Sequence, residues 1–215
     1  MSRNRVEYVY NQIRQGILDG EYSPSQHLVE THLAETYDVG RHIVRLALER
    51  LSAEGLVTIG PNRGAIVSQL TLEDVVDILL AREVLEGAAA RLAAERISQE
   101  TLDDLNDLLD VMREAIDKRE FDRYSQTNVR FHGRIYEASG SKKIPELIRV
   151  LRARVVRSQF RTILVPGRAE KSLEEHRAIV EAFRTGDGSV AEEAMRAHIA
   201  ALRETITESW ELVRS

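Results

Sequence analysis

The 215-residue sequence contains no cysteine. Disulfides and thiolate metal sites are therefore excluded, and any metal must be held by histidine, carboxylate, amide or water. No apolar run approaches the ~18 residues that a membrane span needs. The nearest, VVDILLA, is interrupted by Asp77. The first ten residues, MSRNRVEYVY, lack the apolar centre of a secretory signal. A cytoplasmic protein without membrane contact is the expectation. Net positive charge is also absent. The formal charge of −5 argues against a generally polybasic chain, though it permits a local basic patch. Internal repeats and low-complexity segments are missing. What remains is ordinary for a globular protein, with 43% hydrophobic and 30% charged residues in a length that suits one large domain or two modest ones.

Helical periodicity dominates. Val6, Val9, Ile13 and Ile17 recur at helical spacing over residues 4–19, and Gly20 follows as a stop. EYSPSQH reads as a turn. VETHLAETYDVG then gives a short helix ending near Tyr37. RHIVRLALERLSAEG gives a longer one with Ile43, Val44, Ala47, Leu48 and Leu51 as its inner stripe, stopped by Gly55. The one convincing β signal comes next: LVTI and AIVS flank GPNRG, a hairpin with a long tip. After SQL six helical segments follow. The second is capped by Ser98, the third stops at Gly140, the fourth carries Pro145 in its first turn, and the sixth runs from Ser189 to Val213. The fold class expected is mainly α: a winged helix-turn-helix in residues 1–69, then an all-helical six-helix bundle in 70–215.

Three helices followed by a hairpin is the order of a winged helix-turn-helix. In that motif the second helix of the pair enters the major groove with its N-terminal residues at the base edges. Here that end carries Arg41, His42 and Arg45, and arginine is the commonest reader of guanine. Arg63 and Gly64 sit at the hairpin tip, within reach of a groove. Charge alone does not decide between a DNA reader and a solvated surface, because residues 1–68 hold seven Lys+Arg against eight Asp+Glu. The helix order, the two arginines and the wing favour double-stranded DNA.

LAETYDVGRHIVRLALERLSAEGLVTIGPNRGAIVS resembles the DNA-binding domain of the GntR family of bacterial transcription regulators. Arg41 and Arg45 match the family's two recognition-helix arginines, and AEGLV and NRGAIV match closely. Gly40, His42, Ile43 and Leu46 stand where Ser, Thr, Pro and Glu are usual, departures that bear on the operator sequence rather than on the fold. AREVLEGAAARLAA, NVRFHGRIYEASG, EEHRAIVEAFRTGD and AMRAHI resemble the FCD domain that follows such a module in the FadR subfamily. Six helices look more like the VanR-type branch than the acyl-CoA-binding type.

The residues themselves pose a chemical question. Asn128 and His132 are four apart and share a helix face. His176 lies on the stripe of Leu173, Val180 and Phe183, and His198 on that of Ala194, Met195, Ala201 and Leu202. A single inward histidine is usually a hydrogen-bonded core residue. Three of them, with an adjacent amide, would each need a partner, and one divalent cation supplies it for all. The resemblance implies the same set, since many FCD domains bind a divalent metal through an Asp or Asn, the His four residues on, and two later His. Zinc is expected first, with nickel or another divalent ion as alternatives. The usual Asp is Asn128 here, which leaves the site one charge more positive and favours an anionic effector. Arg82 lies near the inner face of its helix. It reads equally as an i,i+4 pair with Glu86, worth about 0.3–0.5 kcal/mol, or as the clamp of a small carboxylate effector. Arg130 and Arg134 read as surface residues.

These features point to a ligand-responsive transcriptional regulator, a repressor that acts as a homodimer on a palindromic operator. A metal-dependent hydrolase is the rival reading, and it is disfavoured because Glu174 and Glu175 are turned away from the face of His176. An architectural DNA-binding protein without effector would leave the polar interior without purpose.

Overall fold

The computed structural model describes residues 2–60 and 64–213. Contacts divide the chain into two compact units, Met1–Thr71 and Leu72–Ser215.

The first unit contains α1 (Ser2–Asp19), β1 (His27–Leu28), α2 (Glu30–Thr36), α3 (Arg41–Ala53), β2 (Val57–Gly60) and β3 (Gly64–Val67). Its core forms where the apolar stripes meet. Val9 and Ile13 of α1 pack with Val44, Leu48 and Leu51 of α3, all buried. Leu33 of α2, Leu28 of β1 and Val67 of β3 close the same cluster. The sheet is antiparallel in the order β1-β3-β2, with Gly60 opposite Gly64 at the hairpin tip. Gly64 sits at φ +68, a left-handed conformation that a side chain would resist. The strand β1 is not legible in the sequence, where EYSPSQH predicts a turn. Two residues are too few to show a period of two, and their pairing with Ala65 and Ile66 is set only once β3 is in place.

The second unit consists of α4 (Leu72–Ala94), α5 (Gln99–Asp117), α6 (Phe121–Ala138), α7 (Lys143–Thr162), α8 (Arg168–Arg184), α9 (Gly188–Glu208) and the single turn α10 (Trp210–Val213). Ser98 caps α5 by accepting from the Thr101 amide, as the sequence suggested. α4 and α9 lie closely side by side, and Gly87 makes this possible: a Cβ there would stand 2.6 Å from Arg196 Cγ. The sixth long helix ends earlier than its periodicity implied. Ser209 leaves helical geometry at φ −111, ψ 24, and its carbonyl accepts from Leu212 and Val213 to start α10, which buries Val213. Among the described residues no helix is long and apolar enough to cross a membrane.

Candidate functional site

The first unit presents Arg41, His42 and Arg45 on the exposed first turns of α3. Arg45 donates to Glu30 of α2 through Nε at 3.2 Å and Nη2 at 3.0 Å, and Arg41 Nη2 lies 3.6 Å from the same carboxylate. The hydrogen bond from Arg45 is the main reason the Glu30 carboxyl is held below its ordinary range. The pairing was not visible in the sequence, because Glu30 lies fifteen residues before Arg45. Gly64 begins β3, and Arg63 lies outside the described residues.

The second unit brings three histidines together in its interior. His132 comes from α6, His176 from α8 and His198 from α9. All three are buried, with ligand nitrogens within 4.8 Å of one another. Nε2 of His132 and Nε2 of His176 are 3.3 Å apart. Asn128 stands one turn before His132, half-buried, and its Oδ1 is enclosed without a hydrogen-bond partner. His176 Nδ1 is likewise enclosed and unpartnered.

Two carboxylates support this cluster from behind. His198 Nδ1 lies 2.8 Å from Glu175 Oε2, which also accepts from Arg168 Nη2 at 2.9 Å. His132 Nδ1 lies 3.3 Å from Glu86 Oε2, near enough for strong electrostatic coupling though not aligned as a hydrogen bond. Glu86 accepts from Arg82 Nε at 2.7 Å and from the Tyr136 hydroxyl at 2.6 Å, and Arg152 Nη1 donates to Tyr136 Oη at 3.2 Å. One set of polar contacts therefore links α4, α6, α7 and α8 through Glu86, Tyr136, Arg152 and the His132–His176 pair, and a second links α8 and α9 through Glu175.

Sequence reasoning missed both carboxylates. Glu175 does turn away from the face of His176, but that turn aims it at His198 on the neighbouring helix. The turn away from His176 is legible on α8; the meeting with His198 is not, because the face that Glu175 addresses belongs to α9. Arg82 and Glu86 form the i,i+4 pair that the spacing allowed, yet both are 0% exposed. The pair is part of the core, and its energetics are not those of a surface pair.

Burial decides the charge states. It pushes His132 down to about 3 despite the opposing pull of Glu86, and it holds His176 well below and His198 below the ordinary imidazole range. All three rings are neutral at pH 7, the form that ligates metal. Burial alone would raise Glu86, but the charge of Arg82, the His132 contact and Arg152 together hold it well below the ordinary carboxylate range. Glu175 is lowered in the same way, by His198 and then Arg168 acting against burial.

Comparison with known proteins fits both units. Residues 5–67 match the family model described as bacterial regulatory proteins, gntR family, and residues 77–201 match the FCD domain. The chain is 26% identical over 202 residues to the HTH-type transcriptional repressor RspR of Escherichia coli K12, covering 94% of this chain and 89% of that one. It is 25% identical over 230 residues to the galactonate operon transcriptional repressor of the same organism, covering 97% and 99%. Among solved structures, E. coli McbR/YncC shares the fold with a TM-score of 0.78 at 21% identity, covering 96% of this chain and 98% of that one. The helix-turn-helix unit and the histidine-bearing helical unit thus have one explanation: the chain belongs to the GntR family of bacterial transcription regulators, in the group that carries an FCD domain, and it is a DNA-binding regulator rather than an enzyme.

Proposed function

We propose that this regulator is a repressor that senses a small organic acid at a divalent metal centre in its helical unit. The observation that carries the reading is the convergence of three buried, neutral imidazoles from three helices. Two nitrogens that each bind one tetrahedral zinc at ~2.0–2.1 Å are separated by about 3.3–3.4 Å, and the Nε2 atoms of His132 and His176 are 3.3 Å apart. Glu175 takes Nδ1 of His198, which leaves that ring's Nε2 for a metal. The enclosed, unpartnered Oδ1 of Asn128 is a suitable fourth donor. Imidazole ligation favours zinc, with nickel as an alternative. A bound metal would supply a positive centre with open positions for a carboxylate. Glu86 and Glu175 are held by Arg82 and Arg168 and by the rings they orient, so they act as supports.

In this reading Arg41, His42 and Arg45 read base edges, with Arg63 and Gly64 at the wing, and a homodimer formed through the helical units sets two such modules on a palindromic operator. The relatives support repression by name: one is a transcriptional repressor and another represses the galactonate operon, whose namesake is an acid. Metal analysis after mild chelation and zinc reloading tests the centre. Wild type should hold one zinc per chain and the His132→Ala, His176→Ala double variant none, with operator binding by the variant preserved. Equal metal content in the two proteins refutes the centre. Light scattering on residues 72–215 should find a dimer at micromolar concentration, and a monomer there rejects the assembly.

A further inference from the structure

Beyond the metal ligands, several buried polar atoms among the described residues lack a hydrogen-bond partner, and those of Arg168 and Tyr124 belong together. Arg168, at the start of α8, is only 6% exposed, and its Nε and Nη1 are enclosed without hydrogen-bond partners. A guanidinium has five N–H donors arranged in two two-donor edges. Glu175 takes one donor, on Nη2, so one complete edge is left open. Tyr124 on α6 is 1% exposed, and its hydroxyl is also unpartnered, with the Ser172 hydroxyl beside it. The two groups are near each other, since the charge of Arg168 acts on the Tyr124 phenol, which burial pushes up to about 12.

Their placement follows from the helical repeat. Tyr124, Asn128 and His132 stand at i, i+4 and i+8 on α6, and Arg168, Ser172 and His176 repeat that spacing on α8. The two rows meet at one end through the histidine pair. At the other end they carry a cation and a phenol, and between them lies the orphaned Asn128 oxygen. α6 and α8 are not a closely packed pair, so the rows address each other through side chains. Unpartnered buried donors are costly, about 1–3 kcal/mol each for neutral groups and more for charged ones, and a bound anion removes that cost. The charge balance agrees: Arg82 and Arg152 act on Glu86, and Arg168 pairs with Glu175, three cations against two anions around the histidines.

We propose that Arg168 and Tyr124 are the anion anchor of the sensing site, and that the effector is a short acid with a second oxygen function, a hydroxy acid or a dicarboxylate. The open edge of Arg168 grips one carboxylate, Tyr124 donates to it, and the second oxygen function reaches the histidine end. Glu175 alone separates the Arg168 guanidinium from His198, which keeps the ligand short. Arg82 is then a structural partner of Glu86 and not the clamp. The proposal rests on the reading of the helical unit as an acid sensor.

The test is isothermal titration of the zinc-loaded full chain with a panel of hydroxy acids and dicarboxylates of three to six carbons, with butyrate and 1,4-butanediol as controls, repeated on chelated protein. At least one panel acid should bind wild type more tightly than butyrate, and the diol should not bind. Arg168→Gln should weaken that acid by about tenfold or more, and Tyr124→Phe severalfold, with zinc stoichiometry unchanged. Arg168→Lys keeps a cation beside Glu175 and so keeps the melting temperature, yet it should still lose affinity because a point charge replaces the fork. Equal acid affinity in wild type and both Arg168 variants overturns the anchor, as does the absence of binding by every panel acid at millimolar concentration. A wild type that takes no zinc, but whose acid binding still falls in Arg168→Gln, keeps the anchor and rejects the metal centre.

Discussion

Each unit of this chain holds three of its six histidines, and the two sets stand in opposite surroundings. His27, His32 and His42 are exposed, whereas His132, His176 and His198 are buried against one another. The Arg–Glu pairs divide the same way. Arg45 and Glu30 meet at 57% and 20% side-chain exposure, and Arg82 and Glu86 at 0% and 0%. In water such a pair is worth about 0–1 kcal/mol and is readily exchanged for another partner. In the interior both charges have been stripped of water, and neither can be removed without stranding the other. The exposed face of α3 therefore holds its arginine loosely, while the helical interior builds its charges into the fold.

The sharpest way to break this contrast is to delete one member of each pair. Arg82→Ala should cost the helical unit about 3–5 kcal/mol, because Glu86 is left as an uncompensated buried charge. Urea unfolding followed by circular dichroism measures it, and a cost below 1 kcal/mol would place the pair with the surface ones.

Acid should come next in size. His132 has its folded-state value depressed to about 3 from 6.5. The unfolded chain therefore binds the extra proton first, and stability is full above about 6.5 and falls as pH drops toward 3. By pH 5 this amounts to about 2 kcal/mol from His132 alone. His176 and His198 are shifted the same way, and Glu86 and Glu175 add the same sign below the ordinary carboxylate range. Thermal melts of metal-free protein from pH 7.5 to 4.5 should show the helical unit losing stability, with the loss reduced in His132→Phe. A flat profile would mean that the rings are already open to solvent. Metal binding by the folded protein should hold to lower pH than free imidazole would allow, because little proton competes at a ring whose value is about 3.

Glu175→Gln should weaken zinc by about 10–100-fold without unfolding the chain, since it removes the charge that orients His198. Competition with a chelator of known affinity reads this directly, and unchanged affinity would leave Glu175 as a partner of Arg168 alone.

The exposed unit should give the smallest stability effects. Arg45→Ala should cost about 1–3 kcal/mol of operator binding, measured by fluorescence anisotropy, and almost nothing in folding. Glu30→Ala should change stability by less than about 1 kcal/mol. A large loss of stability in either would make the pair structural and erase the difference between the two regions.

Several features needed only the sequence. The inner stripe of α3 follows from apolar spacing, since a helix repeats every 3.6 residues whatever surrounds it. The Ser98 cap and the stops at Gly55 and Gly140 are equally local, and both glycines take positive φ. Asn128 and His132 share a face for the same reason. Packing decided the rest. Whether Arg82–Glu86 is a weak surface pair or a buried one depends on what covers α4, and its own residues do not state that. Glu175 reaches His198 across twenty-three residues, and Tyr136 reaches Glu86 across fifty. Such partners are set by how neighbouring helices slide and rotate against each other. A shift of one residue turns a side chain by about 100°, so the sequence names the face of each helix and the tertiary structure alone names what that face meets.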